Sequence, residues 1–396
     1  MISYKFKLKP NKLAKEKIDY TLNICKKTYN QALAERIFAY KTFKKSLTYN
    51  EQSKRLTEGK TAEQRFIYSK VLQNVLRRLD KSYKNFFSRG GFPRFKSTYN
   101  SFKLDQSGFK IIDNYIEFSK IGKIKFIKHR EINGNIKEIQ IIKRSSGYYL
   151  VVTTDFTRNI ISRNESDIGI DLGLKDFLTL NTGEKFNKFN NLSLKKLLEN
   201  TVKRLKDIEK LQKKLSKKKL GSKSFKEIKL KIGKKHESIK NQRKDTLHKI
   251  SLSLTLKYKD IYVEDLNIKE MTKKDKKVVK MSQKSVTSMR RNILLSGFGQ
   301  FIEILVDKAE GAKLPPLGGG AGNRVVKVNP RYSSQICPSC GAHKKKLLSE
   351  RVHSCSCGLM VDRDVAAALN VLNWGLVGVP DSVISLRNCA SRSLVL

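Results

Sequence analysis

The sequence predicts an α+β chain of several domains. A small N-terminal β-barrel carries an inserted helical lobe, and an α/β unit with a compact cysteine module follows. Three observations lead there. Ile2, Tyr4, Phe6 and Leu8 alternate with polar residues, which makes a strand with one buried face. The next strand pattern begins only near residue 108, and helical spacing fills the interval. Four cysteines near the C-terminus run directly into an acidic helix start.

Taken in order, Pro10 stops the first strand, and residues 12–88 read as helices. Leu72, Val75, Leu76 and Leu79 recur at i, i+3, i+4 and i+7, with Arg77, Arg78 and Lys81 on other faces. Arg89 to Lys96 is a break with aromatic and basic residues interleaved. Phe92 and Phe95 in it, with Tyr29 and Tyr99, have flat faces for base stacking; the plainer reading of each is core packing. Short strands follow to about residue 158, at 108–113, 115–118, 124–127, 139–142 and 148–154. A polar linker at 159–166 precedes a strand, sharp turn and strand from Asp167 to Leu180, with a hairpin turn at Asn181-Thr-Gly183. Residues 193–256 form two long basic helices joined at Leu220-Gly221-Ser222, an antiparallel arm. Ile261 to Leu266 is a buried strand and 273–280 a charged loop. One helix spans 285–310, a Pro/Gly-rich loop occupies 313–322, and Arg324 to Val328 is a strand.

The charge is one-sided. Lys and Arg total 83 against 36 Asp and Glu among 396 residues, a formal charge of +47. Such a chain repels itself unless a polyanion neutralises it. Basic residues occur along most of the chain, which favours nucleic acid over a membrane surface. The N-terminus lacks an apolar signal core, and no run reaches transmembrane length. Six cysteines in so long a chain do not read as a disulfide framework. The expected setting is reducing and cytoplasmic, beside the nucleoid.

Four of the cysteines carry chemistry. Cys337-Pro-Ser-Cys340 and Cys355-Ser-Cys357 are separated by 14 residues, and a glycine follows each pair. Thiolates at that spacing form a tetrahedral shell for a structural zinc ion, with His343 and His353 nearby as non-ligands. Three acids form the second constellation. Asp171 ends the apolar run Ile-Gly-Ile-Asp, Glu264 ends Ile-Tyr-Val-Glu, and Asp364 opens a helix whose Ala366, Ala367 and Ala368 can pack closely on a sheet. Taken singly, each has a plain reading: a strand-end turn, a surface acid or a helix cap. Converging, they would hold two divalent ions, magnesium by the hardness of the donors, for phosphodiester hydrolysis.

These residues resemble a known family. Gly-Ile-Asp171-Leu-Gly-Leu, Val-Glu264-Asp-Leu-Asn, Ser333-Ser-Gln-Ile-Cys337-Pro-Ser-Cys340-Gly and Asp362-Arg-Asp364-Val-Ala-Ala-Ala are similar to the signatures of TnpB (OrfB). These are insertion-sequence RNA-guided nucleases related to type V CRISPR effectors. The likeness extends over residues 1–373. It implies an RNase H-like (RuvC) nuclease domain with Asp171, Glu264 and Asp364 as catalytic magnesium ligands. It aligns the second Asp of the Asp-Arg-Asp run with the ligand, leaving Asp362 to cap the helix. It implies a guide RNA from the transposon end, one protein monomer per RNA, and a double-stranded DNA target beside a short flanking motif. On this reading the wedge-like barrel is 1–10 with 89–160, and the helical recognition lobe is 11–88. The RuvC-like domain is 165–330 with the basic arm 193–256. The zinc ribbon is 331–360, the final RuvC helix 361–373 and the tail 374–396.

Three features depart from the family pattern: Ala366 where many relatives have Asn, the one-residue spacer between Cys355 and Cys357, and the loop at 313–322. Two alternatives stay open, the first of them through Ala366 and the loop. One is a nuclease-weak or nuclease-dead RNA-guided DNA-binding protein of repressor type. The other is a transposition-associated nuclease working without a guide.

Overall fold

The computed structural model describes residues 1–88, 90–105, 107–156, 166–273, 283–310, 324–347 and 349–378. The loop at 313–322, nearly all of the linker at 159–166 and of the charged loop at 273–280, and Cys389 fall outside them. The chain divides into two units, Met1–Thr157 and Arg158–Leu396.

In the first unit, β1 (Ile2–Lys9) is followed by helices α1 (Lys12–Phe43), α2 (Tyr49–Glu58), α3 (Ala62–Arg65) and α4 (Ser69–Ser88). Then come β2 (Ser101–Asp105), β3 (Phe109–Ile112), β4 (Tyr115–Phe118), β5 (Gly122–Ile127), β6 (Ile136–Arg144) and β7 (Gly147–Thr154). The strands form one antiparallel sheet in the order β2-β6-β7-β1-β5-β4-β3. β1 therefore lies at its centre, although some 90 residues separate it from β2. The alternation seen in the sequence is the mechanism: Tyr4, Phe6 and Leu8 point inward and join Leu72, Leu76 and Leu79 of α4 in one core. The helices have local start signals. Asn11 caps α1, and Thr48 with Glu51 and Thr61 with Gln64 make capping boxes for α2 and α3. Strand β2 goes unnoticed in the sequence, because its pattern rests on Phe102 and Leu104 alone. Among the stacking candidates, Tyr29 is core, but Phe92 and Phe95 are exposed, contrary to the core reading.

The second unit starts with β8 (Ile168–Asp171), β9 (Leu178–Leu180) and β10 (Lys185–Phe186). Helices α5 (Leu192–Ser216) and α6 (Lys223–Lys257) form the basic arm. Gly221 turns between them at φ +83°, and Ser222 caps α6. Next come β11 (Asp260–Glu264), α7 (Ile268–Met271), α8 (Gln283–Ser296), α9 (Phe298–Glu310) and β12 (Arg324–Val328). A two-stranded hairpin, β13 (Val352–Ser354) and β14 (Met360–Asp362), leads into α10 (Arg363–Leu376). The sheet order is β10-β9-β8-β11-β12; β8, β11 and β12 run parallel to one another, and β9 and β10 antiparallel to their neighbours.

Two sequence boundaries need correction. The single helix expected at 285–310 is two, broken at Gly297, whose φ of +76° no helix accommodates. The Arg243 side chain seals the break by donating to the carbonyls of Leu294 and Leu295 at 3.0 and 3.3 Å. The final helix is not 361–373 with a tail from 374. Residues 361 and 362 belong to β14, and α10 runs on to Leu376 with Trp374 buried. No described helix is long and apolar enough to cross a membrane.

The contact that sets this unit is α10 on β8. A Cβ on Gly169 would lie 2.2 Å from the carbonyl oxygen of Ala368, and one on Gly375 would lie 2.0 Å from the Tyr262 ring. The small residues of α10 thus let helix and sheet backbones touch. Gly169→Ala is expected to lower stability by about 2 kcal/mol or more, because the obstacle is backbone and cannot rotate away. Gly91→Ala, whose added methyl meets nothing within 4 Å, serves as the control. Thermal unfolding of the two variants checks the difference.

Candidate active site

Two of the three acids are brought together by strand register. β8 and β11 are parallel and Ile170 pairs with Val263, so the next residue on each, Asp171 and Glu264, stands at the same C-terminal edge. That edge is where open α/β sheets place ligands. The third acid comes from α10. Its packing on Gly169 lays the start of the helix over the same strand ends. Asp362 is the N-cap, accepting from the backbone N–H groups of Asp364 and Val365 at 2.9 and 3.4 Å. Asp364 occupies the first helical turn, and the capping role falls to Asp362.

The three carboxyls feel one another. Burial holds the Asp171 carboxyl well above the usual range, and the charges of Glu264 and Asp364 raise it further. Glu264 is 5% exposed and is pushed up to about 7, chiefly by burial and also by Asp364. Hydrogen bonds from Ser333 and Asp171 pull the other way. Two fixed cations stand at the edge of the cluster. Arg363 Nε lies 3.4 Å from Asp364 Oδ1, and its guanidinium donates to the Glu350 carbonyl at 3.0 Å. Lys185 Nζ sits 2.7 Å from Asp362 Oδ2 and 3.8 Å from Asp176 Oδ2. Asp364 is thus paired with Arg363, while among the described residues no ion pair within 4.0 Å is present at Asp171 or Glu264, so the two strand-end acids suit a cation. The acids are not drawn tight. Among the described residues, only the four cysteines form a group of three or more metal-binding side chains whose ligand atoms all lie within 4.8 Å.

In the cysteine group, Cys337 and Cys357 have sulfurs 3.7 Å apart, and Cys340 and Cys355 3.5 Å. Each pair sits in a tight turn closed by a left-handed glycine. Gly341, at φ +75°, donates to the Cys337 carbonyl at 3.0 Å; Gly358, at +90°, donates to that of Cys355 at 3.1 Å. The one-residue spacer at Cys355 therefore does not spoil the geometry. His343 donates to or accepts from Gln335 at 3.0 Å, and His353 contacts Lys346, so both stand outside the cluster as expected. Cys25 is a buried thiol in the first unit, pushed up to about 12 by burial.

Sequence reasoning missed three supporting residues. Ser333 donates to Glu264 Oε1 at 2.9 Å, Asn370 holds the Ser333 loop, and Lys185 braces Asp362. Ser333 lies inside a motif noted for its cysteines, which is the only signal it had. Lys185 is one lysine in a lysine-rich chain and had none.

Three family descriptions match parts of the chain: "Probable transposase" over residues 158–275, "Cas12f1-like, TNB domain" over 298–371 and "Helix-turn-helix domain" over 1–45. A Methanocaldococcus jannaschii protein named "TnpB-like protein MJ0751" is 31% identical over 290 residues, covering 68% of this chain and 91% of that protein. The chain belongs to the TnpB family. In this TnpB chain the first match contains Asp171 and Glu264, and the second contains Asp364 and all four cysteines. The third falls on β1 and the single helix α1, so no helix-turn-helix is formed there.

Full-length likeness to other TnpB relatives is lower. An Escherichia coli protein named "Putative RNA-guided DNA endonuclease InsQ" is 28% identical over 392 residues, covering 94% of this chain and 92% of its own. A Streptomyces pristinaespiralis protein named "Putative RNA-guided DNA endonuclease" is 26% identical over 391 residues, covering 94% and 89%. Among solved structures, one titled "Cryo-EM structure of the Cas12f1-sgRNA-target DNA complex" superimposes with a TM-score of 0.55 at 15% identity, over 90% of this chain and 82% of that one. The two share a fold.

The raised carboxyls set a pH dependence. Glu264 titrates near 4.5 when unfolded and about 7 when folded, so the folded state holds the extra proton between those values. Without divalent ions, stability is therefore expected to fall as pH rises from about 4.5 to 7, and Asp171, also raised, adds a decline of the same sign. Glu264→Gln should flatten that decline. Melting temperature against pH in magnesium-free buffer measures both.

Proposed function

We propose that this chain is an RNA-guided DNA endonuclease of the TnpB type, with Asp171, Glu264 and Asp364 as its catalytic acids. The observation that carries the reading is the pair of carboxyls at adjacent parallel strand ends, both held toward the protonated form, with Asp364 adding charge from the first turn of α10. The names of the Escherichia coli and Streptomyces relatives support the activity. The sheet order, with acids on β8, on β11 and at the last helix, supports an RNase H-like RuvC domain at 165–330 completed by α10. The seven-stranded sheet with β1 at its centre supports a wedge-like barrel formed by 1–10 and 89–160, with residues 11–88 as its inserted lobe.

The donor set fits magnesium: hard carboxylate oxygens, with Glu264 buried and Asp171 and Asp364 half-buried. Two such ions would supply an activated water and stabilise the leaving oxygen in phosphodiester hydrolysis. The protein's part is to hold the three acids converging, to exclude bulk water with the β8, β11 and α10 packing, and to keep Asp362 engaged as the cap. The cysteine group fits zinc. Two of its sulfur–sulfur separations, 3.7 and 3.5 Å, are close to the edge of about 3.8 Å of a tetrahedron with Zn–S of about 2.3 Å, and all four sulfurs lie within 4.8 Å of one another. That supports a zinc ribbon that begins at 331 and ends with β14 at Asp362, which leads into α10.

The partners follow from charge and family. A net +47 suits a guide RNA from the transposon end paired with one strand of a double-stranded target, recognised through the backbone. The arm of α5 and α6 is a surface for such a duplex. One protein per RNA is the expected stoichiometry.

In the purified protein–RNA complex, Asp171→Ala, Glu264→Ala and Asp364→Ala are each expected to reduce cleavage of a matched target at least about 1000-fold, a loss of about 4 kcal/mol of transition-state stabilisation. RNA affinity should stay within a few-fold. Wild-type cleavage in all three variants would refute the assignment. For the cysteine module, metal analysis should find one zinc per chain, and Cys355→Ser should lose it and lower the melting temperature.

A further inference from the structure

Glu264 pairs with Val328 of β12, and the residue before it pairs with β8, but its side chain has a separate anchor. Ser333, 5% exposed, donates from Oγ to Glu264 Oε1 at 2.9 Å. The serine sits in the turn that follows β12, and its own N–H donates to the Pro330 carbonyl at 3.1 Å. That turn is held from α10. Asn370, 2% exposed, uses Nδ2 to reach the carbonyls of Ser333 and Ile336, both at 2.8 Å. The next residue is Cys337, the buried member of the cysteine group. Hydrogen bonds therefore run from the start of the cysteine module, through the 333–336 turn, to one oxygen of a proposed catalytic acid.

We infer that Ser333 is a positioning residue for the divalent-ion site: its hydroxyl fixes the orientation of the Glu264 carboxylate, and Asn370 fixes Ser333. This rests on the active-site reading of Glu264 given above. A buried serine that only filled space would not need its hydroxyl aimed at the one acid of the β11 strand end, nor a buried amide committed to its carbonyl. Partners that orient a ligating group typically change metal affinity 10–100-fold when removed.

The test is manganese binding to the full chain with its cysteine group loaded, followed by electron paramagnetic resonance, with thermal melting of every variant. Ser333→Ala is nearly isosteric. It is expected to weaken manganese binding about 10–100-fold while its melting temperature stays close to wild type. Ser333→Thr, which keeps the hydroxyl, should recover most of the affinity. In cleavage, the Ser333→Ala deficit should shrink as magnesium concentration rises. Wild-type manganese affinity in Ser333→Ala overturns the inference, as does a loss in Ser333→Thr as deep as in Ser333→Ala. Glu264→Gln separates the two claims. If it binds manganese like wild type, the active-site reading itself fails. If it loses the ion while Ser333→Ala keeps it, only the role of Ser333 fails.

Discussion

Everything in the second unit depends on how closely α10 can approach β8. At Gly169 there is no room for a side chain, because the Ala368 carbonyl occupies the place where a Cβ would be. Ala366, Ala367 and Ala368 are all buried, and Gly375 makes a similarly close approach to Tyr262. Pushing the helix outward would carry Asp364 away from Asp171 and Glu264. Packing of the smallest residues therefore decides the geometry of the most polar site in the unit. It also assigns a place to Ala366, which lies fully buried in this layer.

The acids then act as a strained electrostatic group held by apolar packing. Isolated in water, three carboxylates would separate or solvate. Here strand register fixes two and the helix start fixes the third, so burial and mutual repulsion are expressed as raised proton affinity at Asp171 and Glu264. The cysteine module feeds directly into this arrangement. Its last strand, β14, ends at Asp362, the residue that caps α10, and Lys185 pins Asp362 from β10. The arrangement links the metal-binding hairpin, the helix cap and the acid cluster in one continuous stretch of chain.

Much of this was legible in the sequence, for identifiable reasons. Alternation exposed β1, helical spacing exposed α4, and the apolar flanks of Asp171 and Glu264 marked them as strand ends in a core. The cysteine spacing predicted a sulfur cluster that the geometry contains. Other features were not legible because their signal is not local. Gly297 reads as one glycine in a helical run, and only its contact with Arg243, distant in sequence, shows that the helix ends there. The extension of α10 past residue 373 depends on Trp374 finding a buried site beneath it. Ser333, Asn370 and Lys185 gain meaning only once strands and helix are assembled, since each acts on a partner 34 to 177 residues away. Exposed Phe92 and Phe95 show the limit of composition: aromatic content alone cannot say which face of a loop meets solvent.

The central claim is that the converged acids cut DNA under RNA direction. The most direct measurement is cleavage by the chain purified with RNA from its own transposon end. The substrate is a plasmid library with a matched target and randomised flanks, with and without magnesium. The account predicts magnesium-dependent cutting confined to matched targets beside one flanking motif. Tight RNA-dependent binding without cutting, or cutting that persists after the RNA is removed, would contradict it.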